Sequence, residues 1–224
     1  MNSFLLLSQI TLKLHGLFWF HTSAQPRGKY THISLPVIHN YPLALAFLGR
    51  PVEESYANIS GIIRNSFTPR KIWKEYGFYV YPAIGEKLTS KVLTFSMGGT
   101  GYTLIKPQTR ASVPDYTTNQ VYLPGSTFRT YILARNERSI PKVNYIRLGS
   151  KRYGIFKVVY STPVFVKVRK YSGDPPSHLF NVEDCPASKS YAILRHYAGN
   201  IALSGTPLYV IKHKDTILAA PGFL

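Results

Sequence analysis

The stretch HTSAQPRGKYTH, residues 21–32, gathers His21, Lys29, Tyr30 and His32 on one segment. Metal-free cleavage of RNA needs a base for the 2′-hydroxyl, a proton donor for the leaving oxygen and a cation for the phosphorane. Imidazole, phenol and ammonium groups supply all three types here. The same residue types also hold RNA without cutting it, since cations and hydrogen-bond donors reach phosphates while rings meet bases. The segment therefore reads first as a binding loop, with a metal-free endoribonuclease as the alternative.

Other chemistries find less support. The chain has 7 His and 1 Cys, Cys185, and contains no HExxH, so no metal site, no cysteine cluster and no internal disulfide are expected. Glu53 and Glu54 are adjacent, and Glu183 with Asp184 falls in a turn-rich stretch, so neither pair suits glycosidase or two-metal chemistry. There is no GxSxG elbow. The Gly-rich MGGTGYT, residues 97–103, lacks both a GK[ST] ending and a GxGxxG continuation, and reads as a hairpin turn. No catalytic residue and no cofactor is assigned.

The charge balance is the positive signal. In 224 residues there are 27 Lys and Arg but only 10 Asp and Glu, giving a net charge of +17. The excess comes mainly from missing acids: charged residues are 17%, against about 25% in a typical domain. No acid precedes Glu53, and none lies between Arg138 and Gly173, a stretch with nine Lys or Arg. Dense basic blocks of the kind found in solvated tails are absent. Acid depletion across a folded domain points to a broad surface lying against phosphates. Aromatic residues accompany the cations in three groups: Arg27, Lys29 and Tyr30; Arg147, Lys151, Arg152 and Tyr153; and Phe128, Arg129 and Tyr131. Cations tracking a backbone beside rings that stack on bases are the means of holding single-stranded nucleic acid.

These groups must be positioned by a folded core, which 45% hydrophobic residues can build. Ile10, Leu12 and Leu14 alternate with polar residues and predict a first strand. The opening residues are too interrupted for a signal peptide or a membrane span. Pro42 and Gly49 punctuate a helix whose buried stripe is Leu43, Ala44, Phe47 and Leu48. Residues 50–72 read as loop with a turn of helix, and Tyr76 to Tyr81 as a strand. Residues 83–123 read as an insertion within a single domain spanning 1–224. Strands are expected at Thr127 to Ala134, from Val143 to Leu148, from Ile155 to Tyr160 and from Val164 to Arg169. A turn-rich linker, a second helix from Pro186 to Ala198, a strand at Leu208 to Lys212 and a tail from Ile217 complete the chain. The order suits an α+β, ferredoxin-like or RNA-recognition-like fold with one sheet face free for ligand.

Four blocks in order, HNYPLALAF (39–47), GFYVYPA (77–83), LPGSTFRTYIL (123–133) and IRLGSKRYGIFKV (146–158), resemble the Cas-five subunit of type I-D CRISPR effector complexes. The IRLG block following PGS-x-F is the most specific part. Two positions depart from the family pattern. Gly28 and Lys29 follow Arg27 where an acid is frequent, and Ser150 stands where a Lys is frequent. The resemblance implies a RAMP-type ferredoxin-like domain with an inserted β-rich thumb. It implies a non-catalytic, cytoplasmic subunit that caps the 5′ handle of the CRISPR RNA in the Cascade complex for antiviral defence. Its expected partners are that RNA, the large subunit and the first backbone subunit, with target duplex DNA near the PAM as a further contact and no membrane. By matched position, Arg147, Lys151 and Arg152 are the expected handle contacts. Arg27 and Lys29 come next, with Tyr30 and Arg129 beside them.

Overall fold

A computed structural model describes residues 4–19, 31–32, 34, 36–49, 68–96, 116–149, 153–193 and 201–224. In chain order these form β1 (Leu5–Leu14), β2 (Thr31–His32), β3 (Val37–Ile38), α1 (Asn40–Phe47), α2 (Pro69–Tyr76), β4 (Phe78–Val80), β5 (Ala83–Lys87), β6 (Ser90–Ser96), β7 (Tyr116–Tyr122) and β8 (Thr127–Ala134). After a 3-10 turn at Glu137–Ser139 come β9 (Tyr145–Leu148), β10 (Gly154–Tyr160), β11 (Val164–Val166), β12 (Val168–Lys170), β13 (Phe180–Asn181), β14 (Ala187–Ile193), β15 (Ile201–Pro207), β16 (Tyr209–His213) and β17 (Thr216–Ala219). The described chain is thus mostly β, with two α-helices.

Strand β1 is the axis of an eight-stranded antiparallel sheet ordered β3-β5-β8-β1-β10-β9, in which β11 also pairs with β1 and β4 with β8. Successive side chains of a strand point to opposite faces. On one face Leu6, Ile10, Leu12 and Leu14 of β1 pack with Phe128 and Ile132 of β8, Phe156 of β10, and Leu43, Ala44 and Phe47 of α1. Each fully buried Leu or Phe contributes about 1.5–3 kcal/mol relative to exposure. On the other face only the upper half is covered. There Leu5, Leu7, Tyr79, Tyr81, Tyr131 and Leu133 meet Ile211 and Leu218 of the small sheet β12-β16-β17. The lower half, which carries Gln9 and Lys13, stays exposed.

Two further three-stranded sheets, β13-β15-β14 and β2-β7-β6, are separate from the main sheet, and Tyr122 at the end of β7 packs into its core. Strand β5 pairs with β8 in the main sheet, whereas β6 pairs with β7. The MGGTGYT stretch falls outside the described residues.

Helix α1 follows its sequence signals: Gly49 closes it in the left-handed region, and Leu43, Ala44 and Phe47 of the expected stripe are buried, while Leu48 is only partly buried and Leu45 is buried instead. Helix α2 corrects the expectation of loop followed by a strand beginning at Tyr76. The Thr68 hydroxyl accepts from the Lys71 amide at 3.2 Å, Pro69 opens the helix, and Gly77 ends it at φ 75°. The expected helix from Pro186 is a second correction, because residues 187–193 form β14. Its backbone pairs with β15, and the Pro186 carbonyl accepts from the Leu208 amide at 3.0 Å. Non-local pairing overrides the local propensity of Ala and Leu. The tail is a third correction. Ile217 to Ala219 belong to β17, folded back on β16 around Lys214, whose φ is 49°.

The linker before β14 holds a buried polar cluster that ties the C-terminal third to α1. The Asp184 carboxylate accepts from Asn40 Nδ2 at 2.7 Å, from the Tyr79 hydroxyl at 3.2 Å and from the Tyr41 hydroxyl at 3.4 Å. Burial pushes its carboxyl up to about 6, opposed by the Asn40 and Tyr79 hydrogen bonds. Burial also lowers His178 and His39 to about 4. The two kinds of group have opposite signs. The unfolded chain binds more protons at the histidines between about pH 4 and 6.5, so they add stability as pH rises. The folded chain binds more protons at Asp184 between about pH 4 and 6, so it removes stability over that window. In urea titrations, Asp184→Asn therefore gains on the wild type by on the order of 2 kcal/mol from pH 4 to 6. A difference between the two proteins that stays constant with pH contradicts this assignment.

Candidate nucleic-acid interface

The exposed half-face of the main sheet is set by strand register. Tyr145 of β9 lies opposite Lys157 of β10, Lys157 opposite Lys13 of β1, Lys13 opposite Thr127 of β8, and Thr127 opposite Lys87 of β5. The five residues form one row across five strands, spanning about 19 Å at the usual interstrand spacing. Lys13, Lys157, Lys87, Tyr145 and Arg147 are all exposed. Lys13 and Lys157 face each other directly, a like-charge arrangement that destabilises a sheet unless an anion lies between or above the pair.

The alternation that buries Ile10, Leu12, Phe156 and Val158 is what sends both lysines to the open side. Tyr145 is 56% exposed, and the His15 ring meets its edge at 6.2 Å. In the neighbouring row, Val159, Thr11, Arg129 and Ile84 are paired in turn. Arg129 forms an ion pair with Glu86 at 3.0 Å, so its charge is already partnered.

The expected site residues divide accordingly. Arg147 lies on β9, exposed, opposite Ile155. Arg27, Lys29, Tyr30, Lys151 and Arg152 fall outside the described residues, as does His21; His32 is placed in β2. The described residues flanking the two basic segments meet at one corner: a Cβ added at Gly149 would lie 2.7 Å from the Trp19 carbonyl. Gly149 has φ 87°, so both its dihedral and its surroundings demand glycine. The third aromatic group is a correction, since Phe128 and Tyr131 are core residues rather than exposed rings.

Lys13, Lys87 and Lys157 escaped the sequence reading. The alternation of β1 and β10 could have put the first and last on a polar face; only the register could put them side by side. Among the described residues, no group of three His, Cys, Asp or Glu could hold a metal ion, and no helix is long and apolar enough to cross a membrane.

Residues 6–198 match the family described as type I-D CRISPR-associated protein Cas5/Csc1. The chain belongs to that family. The match takes in the sheet row from Lys13 to Lys157 and the glycines Gly149 and Gly154. Among solved structures, a chain of the cryo-EM structure of the Type III-B Cmr-beta bound to cognate target RNA aligns at 15% identity with a TM-score of 0.41. That alignment covers 73% of this chain and 61% of that one. A crystal structure of a CRISPR protein from Archaeoglobus fulgidus aligns at 13% identity with a TM-score of 0.40, covering 96% of this chain and 99% of that one. No curated protein matches the chain.

The opposed lysines make a prediction about this Cas5/Csc1-family sheet. Lys157→Glu replaces a repulsive cross-strand pair with an attractive one, and should raise unfolding free energy by about 0.2–1 kcal/mol at low salt. Most of that gain should vanish in 1 M salt, where the screening length is about 3 Å. Urea melts at the two salt concentrations test this, and a variant less stable than the wild type at low salt contradicts the geometry.

Proposed function

We propose that this protein is a non-catalytic RNA-binding subunit of a type I-D CRISPR effector complex, one that caps the 5′ handle of the CRISPR RNA. The observation that carries the reading is the row Lys87–Thr127–Lys13–Lys157–Tyr145, cationic and ending on an exposed ring. Cations in a line suit a phosphate backbone, and a ring at the end of the line suits a base. In this reading the core is a ferredoxin-like RAMP domain, and β6 and β7, within the 83–123 insertion, belong to the thumb. The subunit works in the cytoplasm as part of antiviral defence. It also contacts the large subunit and the first backbone subunit, with target duplex near the PAM as a further neighbour.

Binding of handle RNA to the purified protein, measured across a salt series, tests the proposal. For single strands the slope of log K against log salt is about 0.7 per phosphate contact. Lys13→Ala with Lys157→Ala should weaken binding and flatten the slope by about 1.4. An unchanged slope removes this face from the interface. In the same samples, handle-bearing repeat RNA kept in EDTA should stay intact. Site-specific cuts that disappear on His32→Ala would instead establish the endoribonuclease.

A further inference from the structure

Resting on the RNA-binding reading, we infer that Tyr153 is a nucleobase-stacking platform for single-stranded RNA, held ready by Trp19. The two rings are stacked, with centroids 5.4 Å apart and planes 20° from parallel. Trp19 is 6% exposed, whereas Tyr153 is 56% exposed. One side of the Tyr153 ring is therefore backed by a buried indole while much of the residue remains in water. A ring stacked in this way leaves its second face for a planar partner, the offset geometry that aromatic pairs favour.

The backbone around the pair is unusually close. A Cβ at Gly154 would lie 2.7 Å from both the Leu148 carbonyl and the Phe18 ring, and one at Gly16 would lie 2.5 Å from the Tyr153 carbonyl. Phe18 is itself pinned to the end of β7: its amide donates to the Tyr122 carbonyl at 3.0 Å and its carbonyl accepts from the Tyr122 amide at 2.7 Å. Tyr153 is thus set by the fold, and the ordering cost of its ring is met before any ligand arrives.

Its position fits a strand of RNA crossing the lysine row. Tyr153 immediately precedes β10, about 13 Å of extended chain from Lys157. Arg147 lies opposite Ile155, between the platform and the row. Phosphates held at Lys13 and Lys157 would carry the next bases towards Tyr153. Every base has a π-face, so the platform selects for an unpaired base rather than for one sequence.

The test uses the full-length protein and two probes, an eight-nucleotide oligoadenylate and the same ribose-phosphate backbone without bases. Tyr153→Ala should weaken oligoadenylate binding about 5- to 150-fold. It should leave binding of the abasic strand unchanged, and Tyr153→Phe should bind both like the wild type. An equal loss on both probes would reduce Tyr153 to a structural role. No loss on oligoadenylate would remove the platform outright. The Lys13→Ala, Lys157→Ala protein separates this inference from the reading beneath it, since that pair should weaken both probes alike. Weakening by the lysine pair with no effect of Tyr153→Ala overturns the platform alone, while failure of the wild type to bind either probe overturns both.

Discussion

The register of β1 between β8 and β10 is the constraint on which the rest of the structure depends. Because side chains alternate, the pairing that buries Ile10, Leu12 and Leu14 beneath α1 also lifts Lys13 to the other side. The same pairing brings Lys157 directly opposite it. A slip of one residue would bury the lysines and expose the leucines. Hydrophobic burial therefore holds the two ammonium groups together against their repulsion. The protein keeps a small electrostatic cost in its unliganded form, and an anion bound across the pair would relieve it.

The covered half of this face shows why the other half is open. Strands β16 and β17 lie over Leu5, Leu7, Tyr81 and Leu133, and the Tyr81 hydroxyl donates to the Ala219 carbonyl at 2.8 Å. This lid of sheet is itself fastened below by Asp184, whose partners come from α1 and β4. The C-terminal third thus closes one end of the main sheet and leaves the lysine row and the Phe18–Trp19 corner to the other end. Stability is concentrated where the lid and α1 sandwich the sheet, and cationic chemistry where only α1 backs it.

Much of this could be read from residues alone, and the exceptions have physical reasons. Strands β1, β8, β9 and β10 announce themselves because half-burial imposes a local period of two. Helix α1 is legible from Pro42 and Gly49. Helix α2 carried a usable signal in Thr68, Pro69 and Gly77, a cap, an opening proline and a closing glycine. Strand β14 carried none, because its partners on β15 supply a ladder that local propensity cannot foresee. At the interface, Arg147 was legible from the basic stretch. The pairing of Arg129 with Glu86 and the meeting of Lys13 with Lys157 depend on strands brought together only by folding. The buried Asp184 reads as part of a turn-rich stretch beside Glu183, since adjacent carboxylates in sequence give no sign of three donors converging on one of them.

On the proposed reading, single-stranded RNA lies across the exposed half-face of the main sheet. The most direct measurement is ultraviolet cross-linking of the assembled effector complex with its bound RNA, followed by mass spectrometry of the nucleotide-bearing peptides. Adducts should fall on the β1, β9 and β10 peptides that carry Lys13, Tyr145 and Lys157. A complex without RNA, or adducts confined to the α1 side of the sheet, would contradict it.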